Sequence, residues 1–332
     1  ADPLAKCASD SAAAIKSADE TPCDKIVTEH QEQDDAVRQN DQAIDWLLAQ
    51  HRVVIRNANI VWIDELRHAP PLELKQLNFS LEKVRGRHRF GFNAKPPLAL
   101  ASRIDFRADF RGNSLGTLRK WQGESYVELD YADLAAWQKW IDYPVDLPRG
   151  QGALRLWLGV ERGQIESLTA DVRIDDLRIR LRKDLPELDL AKLEGRISGR
   201  RTENEFSLSL KNLSLSTNDG LSVSPTNINF LWAEAQANKP ARGLLTANAI
   251  DLNVFAQLSK HLPVNASIHS QITAYSPAGQ LHDLGLEWAG DLADFQHWKI
   301  TSRFEKLRLK AYGSLPGIEG LSGSITGSEL NG

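Results

Sequence analysis

The sequence predicts a mainly β protein, built of antiparallel strands in series with short helices between repeated units. Three observations carry this reading. Apolar and polar residues alternate with period two through most of the chain, as where Ile104, Phe106, Ala108 and Phe110 interleave with Asp105, Arg107, Asp109 and Arg111. The runs are short and broken by turns such as Ser276-Pro277-Ala278-Gly279. A helix-then-strands pattern recurs in the second half of the chain. Because successive strand side chains point to opposite faces, each run has one apolar and one polar face.

In chain order, residues 1–40 read as an acidic leader or inserted loop with the composition of a disordered segment. Asp41 is placed to cap a helix over 42–50, where Ile44, Leu47 and Leu48 share a stripe. Strands are expected over 53–63, 72–84, 89–94, 104–110 and 127–131, and the second of these breaks phase after Leu74. A helix over 133–141 ends at Tyr143-Pro144. Strands follow over 153–160, 165–174, 177–181, 193–199, 206–210, 213–216 and 228–232, then a helix over 253–261 stopped by Pro263. Ile268, Ser270, Ile272 and Ala274 alternate as a further strand, and runs at Leu284 to Trp288, Phe304 to Ala311 and Leu321 to Gly327 close the chain.

The repeat is read from matches in order. Leu129-Asp130 corresponds to Ile250-Asp251, Pro144 to Pro263, and Gly163-Gln164-Ile165 to Gly279-Gln280-Leu281. Leu185-Pro186 corresponds to Leu315-Pro316, and the run from Leu193 to Gly199 to that from Leu321 to Gly327. The expected division is 41–130 for a first unit, 131–250 for a second and 251–332 for a truncated third. Such units need neighbours to cover their ends and grow along one axis.

Charge argues against nucleic acid as a partner. Lys and Arg number 40 against 44 Asp and Glu, and residues 1–40 hold nine of the acids against four of the bases. The remainder is close to neutral. No apolar run is long enough to cross a bilayer, and the absence of Met implies a segment of a longer protein. Cys7 and Cys23 are the two cysteines; in an oxidising compartment a disulfide between them would close a loop of about 15 residues, worth roughly 3 kcal/mol. Two unpaired thiols are the alternative.

Catalytic signals are weak. Gly112-Asn113-Ser114-Leu115-Gly116 has the spacing of a nucleophile elbow, but no convincing helix follows and no Asp-then-His order stands out, so a glycine-rich turn explains it. The eight histidines are scattered without ligand spacing, and no nucleotide-binding glycine motif is present, so no metal, cofactor or catalytic residue is expected. Lys83, Arg85, Arg87, His88 and Arg89 form a basic cluster that either meets phosphates or is a solvated hairpin.

Taken together, residues 41–332 resemble the AsmA-like proteins of the YhdP type from Gram-negative bacteria. The likeness runs through Trp46-Leu47-Leu48, Val61-Trp62-Ile63-Asp64, Ala69 to Leu74 and His88-Arg89-Phe90 before Pro96-Pro97. It continues through Trp121-Gln122-Gly123 with Tyr126 and Asp133-Leu134, then Pro277 to Leu281 and Pro316-Gly317-Ile318 with Leu321-Ser322-Gly323.

The resemblance implies an elongated, strongly twisted antiparallel sheet curled into a taco-shaped groove. It implies a periplasmic protein held in the inner membrane by a transmembrane helix outside this segment, and a role as a bridge that moves phospholipids between inner and outer membranes. Phospholipid acyl chains are then the partners, and strand phase selects Leu208, Leu210, Ile268, Ile272, Leu284, Leu286, Leu307 and Leu309 to line the groove. The nine tryptophans serve either as core and end plugs or as part of that lining. The competing reading is a structural or protein-binding β-solenoid whose apolar faces close on themselves.

Overall fold

The structure, a computed structural model, describes residues 45–65, 67–112, 115–237, 239–264, 266–291, 294–313 and 316–329. Cys7 and Cys23, with their expected disulfide, and the acidic leader lie outside the described residues. The first five strands are β1 (Arg52–Trp62), β2 (Leu72–Val84), β3 (Arg87–Lys95), β4 (Ile104–Arg111) and β5 (Gln122–Asp133). After α1 (Leu134–Trp137) come β6 (Asp146–Glu161), β7 (Gln164–Arg180), β8 (Leu188–Arg201), β9 (Glu205–Thr217), β10 (Ser222–Ala233) and β11 (Arg242–Asp251). After α2 (Leu252–Ser259) and α3 (Ala266–Tyr275) come β12 (Ala278–Asp291), β13 (Asp294–Leu309) and β14 (Ile318–Ser328).

All fourteen strands form one sheet in sequence order, each antiparallel to the next. The sheet does not close: β1 and β14 are its two edges. At ordinary strand spacing, thirteen steps span roughly 62 Å. In this meander odd-numbered strands all end on one side. That side carries α1, α2 and α3 and is called here the helix edge; the other side, joined mostly by tight turns such as Arg85-Gly86 and Arg162-Gly163, is the hairpin edge.

The repeat is visible in side chains at the helix edge. Asp133 ends β5 and accepts the Ala136 N–H with Oδ1 at 2.9 Å, while its Oδ2 accepts from Gln151 Nε2 at 3.2 Å. Asp251 ends β11 and does the same, accepting the Val254 N–H at 3.0 Å and Gln280 Nε2 at 2.7 Å. One carboxylate thus caps the helix and holds the returning strand. The structural counterpart of Asp251 is therefore Asp133, and that of Gln280 is Gln151, three and thirteen residues from Asp130 and Gln164, which sequence matching had chosen. Gly163 sits in a turn on the hairpin edge, whereas Gly279 opens β12 at the helix edge. The match of Leu193–Gly199 to Leu321–Gly327 holds: both lie on the third strand after a helix, β8 and β14.

Six strands carry a non-glycine residue with left-handed backbone: Asn57, Gln76, Asp176, Asn212, Asp283 and Lys306, with φ between 48° and 51°. Each is a bulge that advances the side-chain phase by one residue. The break of phase after Leu74 is the bulge at Gln76, which returns Leu77, Phe79 and Leu81 to the face of Leu72 and Leu74. The same device makes one strand, β7, of the two expected at 165–174 and 177–181, and one strand, β9, of those at 206–210 and 213–216. A bulge frees a backbone N–H, and side chains across the strand accept it. Asn78 Oδ1 takes Asn57 N at 3.1 Å, Asn227 Oδ1 takes Asn212 N at 2.8 Å, and Ser322 Oγ takes Lys306 N at 2.9 Å.

Three expectations are corrected. The alternation through Ile268 and Ile272 forms the helix α3, not a strand. Those two residues are also four apart, the helical spacing, and β12 already occupies the only place beside β11. Ser270 Oγ and Thr273 Oγ1 donate to the carbonyls of Ser267 and His269, contacts that helical geometry provides. The helix expected over 133–141 is only the four residues of α1 followed by a turn. Finally, β11 was not foreseen, because Gly243, Ala247 and Asn248 dilute its alternation.

Candidate functional site: the apolar face of the sheet

Residues paired across neighbouring strands lie on the same face, so the register traces rows across the whole sheet. One row runs Val53, Leu81, Phe90, Ala108, Ser125, Leu158 and Leu168 over β1–β7. It continues Gly199, Leu208, Phe230, Leu245, Leu286, Ile300 and Gly327 to β14. Gly199 and Gly327, matched by the repeat, stand in this same row. A second row, about 7 Å nearer the helix edge, is apolar on every strand it crosses. It runs Ile55, Phe79, Phe92, Phe106, Val127 and Leu156, then Ala170, Ile197, Leu210, Ile228, Ala247 and Leu284.

The opposite face is its chemical inverse. On the other side, one residue beyond the second row toward the helix edge, Asn93, Asp105, Glu128, Arg155, Asp171 and Arg196 stand opposite one another in turn. Arg155 pairs with Glu128 at 2.8 Å, Arg196 with Asp171 at 2.5 Å and Arg173 with Glu194 at 2.5 Å. The hydrogen bond from Tyr126 and then that from Arg155 hold the Glu128 carboxyl below its ordinary pKa, and Arg196 does the same for Asp171. Arg196 also lies 5.5 Å from the ring of Trp157. These exposed pairs add little stability singly; they keep this face wetted.

The apolar face is closed at its margins and open between them. At the helix edge Leu72, Leu74, Leu77, Ala94 and Leu100 form one buried cluster and Leu147, Ile174, Leu177 and Leu190 another. The segment around α1 joins them: Ala136, Trp137 and Trp140 pack on the first, Leu134 and Ala135 on the second. Trp137 Nε1 donates to Leu100 O and Trp140 Nε1 to Pro70 O, both at 3.1 Å. At the hairpin edge two tryptophans lie flat over glycines of the neighbouring strand. A Cβ at Gly112 would fall 2.3 Å from Trp121, and one at Gly243 would fall 1.9 Å from Trp288. Gly112 is therefore a floor for an indole, and the Asn113 and Ser114 of the suspected elbow lie outside the described residues. His88, fully buried, stacks on Trp121 and donates from Nε2 to Leu48 O at 2.9 Å, which fastens the short helix over 45–49 to β3. Between these margins the row residues are mostly half-buried, and Ile55 is 40% exposed.

Of the eight predicted lining residues, Leu208, Leu210, Leu284 and Leu286 stand in the two rows. Leu307 and Leu309 share their face, paired with Leu321 and Ile318 past the Lys306 bulge. Ile268 and Ile272 belong to α3, outside the sheet. Sequence reasoning named no lining residue in β1–β8, although Phe79, Phe92 and Phe106 occupy the same row as Leu210; their alternation was the available signal.

Among the described residues no helix is long and apolar enough to cross a membrane. Among curated proteins and solved structures nothing similar to the chain was found. A family model described as YhdP protein matches residues 12–332. That match takes in every strand of the sheet, and the chain belongs to the YhdP family.

Proposed function

We propose that this chain is a section of a bridge that carries phospholipids through the periplasm between inner and outer membranes, with acyl chains sliding along the apolar face. The YhdP family is a Gram-negative envelope family of non-enzymatic, lipid-transport type, and membership supports the reading at that level. The observation that carries it is the pair of rows, the second apolar on every strand from β1 to β12 and the first interrupted only by Ser125, Gly199 and Gly327, both left mostly half-exposed. A face of this size without a cover is a liability in water, and acyl chains relieve it at roughly 0.8 kcal/mol per CH2 buried. Because the rows repeat the same chemistry at each strand, a chain moved by one strand meets an equivalent surface. The closed solenoid fits less well, since β1 and β14 do not meet.

The test is native mass spectrometry of the chain after incubation with phospholipid vesicles. Phospholipid should remain bound to the wild type and be largely lost from a Leu210→Asp, Leu286→Asp double variant, which puts a charge into each row. Equal lipid on both proteins, or none on the wild type, would overturn the proposal.

A further inference from the structure

Following strand phase through the registers and bulges, only two charged residues within the described strands stand on the apolar face, Lys83 on β2 and Arg201 on β8; Glu329, one residue past β14 in the same phase, is held by the Trp298 N–H and His297. Lys83 is two residues beyond Leu81 and opposite His88; Arg201 is two beyond Gly199 and opposite Phe206. Both are cations, and both stand where their strands end at the hairpin edge. Neither makes an ion pair with a described carboxylate, whereas Arg87, Arg89, Arg155, Arg173, Arg196 and Arg200 on the outer face all do.

Resting on the groove reading above, we propose that Lys83 and Arg201 receive the phosphate of anionic phospholipids, so that headgroups ride along the hairpin edge while acyl chains point toward the helix edge. A molecule that carries a phosphate on an apolar tail is the chemical class that satisfies both an unpaired cation and the rows beside it. The surroundings of Arg201 have room for a headgroup. A depression of about 720 Å3 lies between the β6–β7 and β8–β9 turns, lined by Arg201, Ile165, Thr202 and Asn204. Glu161, Glu166 and Glu203 also line it, but Glu166 is taken by Arg200 and Glu203 by Arg162. Lys83 and Arg201 are six strands apart, roughly 29 Å at ordinary spacing. They make two separate stations, each a single solvent-accessible charge that holds a headgroup weakly and lets it go.

The experiment loads the chain from vesicles of equal phosphatidylglycerol and phosphatidylethanolamine and reads the ratio of the two bound lipids by native mass spectrometry. The wild type is expected to be enriched in phosphatidylglycerol by roughly two- to five-fold, the preference an exposed charge pair provides. The Lys83→Gln, Arg201→Gln variant should bind as much total lipid with the enrichment gone, and Lys83→Glu, Arg201→Glu should reverse it. Bound lipid with the same ratio in all three proteins overturns this proposal and leaves the groove intact, whereas no lipid on the wild type overturns both. Inorganic phosphate at matched ionic strength should leave the enrichment in place; its abolition would assign the cations to free phosphate and overturn the lipid assignment.

Discussion

The helix edge and the middle of the apolar face are built from the same residue types on the same strands, yet one is a core and the other is a surface. Near the helices Leu190 is 2% exposed and Ile174 3%, whereas Ile197 and Leu210, a few residues along β8 and β9, are only half-buried. The sheet does not cause the difference, since the register runs through both. The segment around α1 covers one region and nothing described covers the other. Apolar alternation therefore specifies a face that wants burial, and a separate element decides whether the chain itself supplies it.

The contrast can be broken by truncation. Leu190→Ala should cost about 2–5 kcal/mol, because a closed cluster cannot refill the space, while Leu210→Ala should cost less than about 2 kcal/mol. Midpoints of denaturant unfolding measure both, and equal losses would mean that the middle of the face is a core after all. A sharper version removes the device that closes the edge. Asp133→Ala deletes the cap of α1 and the acceptor for Gln151, and Asp251→Ala deletes the matching pair; each should cost about 1 kcal/mol. Losses that differ by more than twofold would show that the two caps are not energetic repeats. The smallest effect concerns the bulges that keep the face in phase. Lys306 holds a left-handed backbone that glycine adopts freely, and its N–H reaches Ser322 whatever its side chain. Lys306→Gly should raise the thermal midpoint by the equivalent of about 0.5 kcal/mol, against no gain for Lys306→Ala.

Much of this architecture is legible in the residues. Period two in β4 and the phase break after Leu74 are local facts, because side-chain direction follows from backbone geometry and from one bulge. The match of Leu193–Gly199 to Leu321–Gly327 makes the two segments equivalent in the sequence, and the register then sets both glycines in one row. Residues 266–275 were misread because Ile268 and Ile272 satisfy both periods, and only the occupied place beside β11 chooses between them. Lys83 and Arg201 are invisible as a pair in the sequence: 118 positions separate them, and their common face appears only when seven strands are laid in register.

The sequence by itself determined that strands dominate, where most of them break, and that each has one greasy side. These are consequences of local sterics and periodicity. The tertiary structure decided that all fourteen strands share one open sheet, that the greasy sides align into two rows, and that helices close one margin while the middle stays half-exposed. Those outcomes depend on register and on contacts between residues tens of positions apart, which no local pattern encodes.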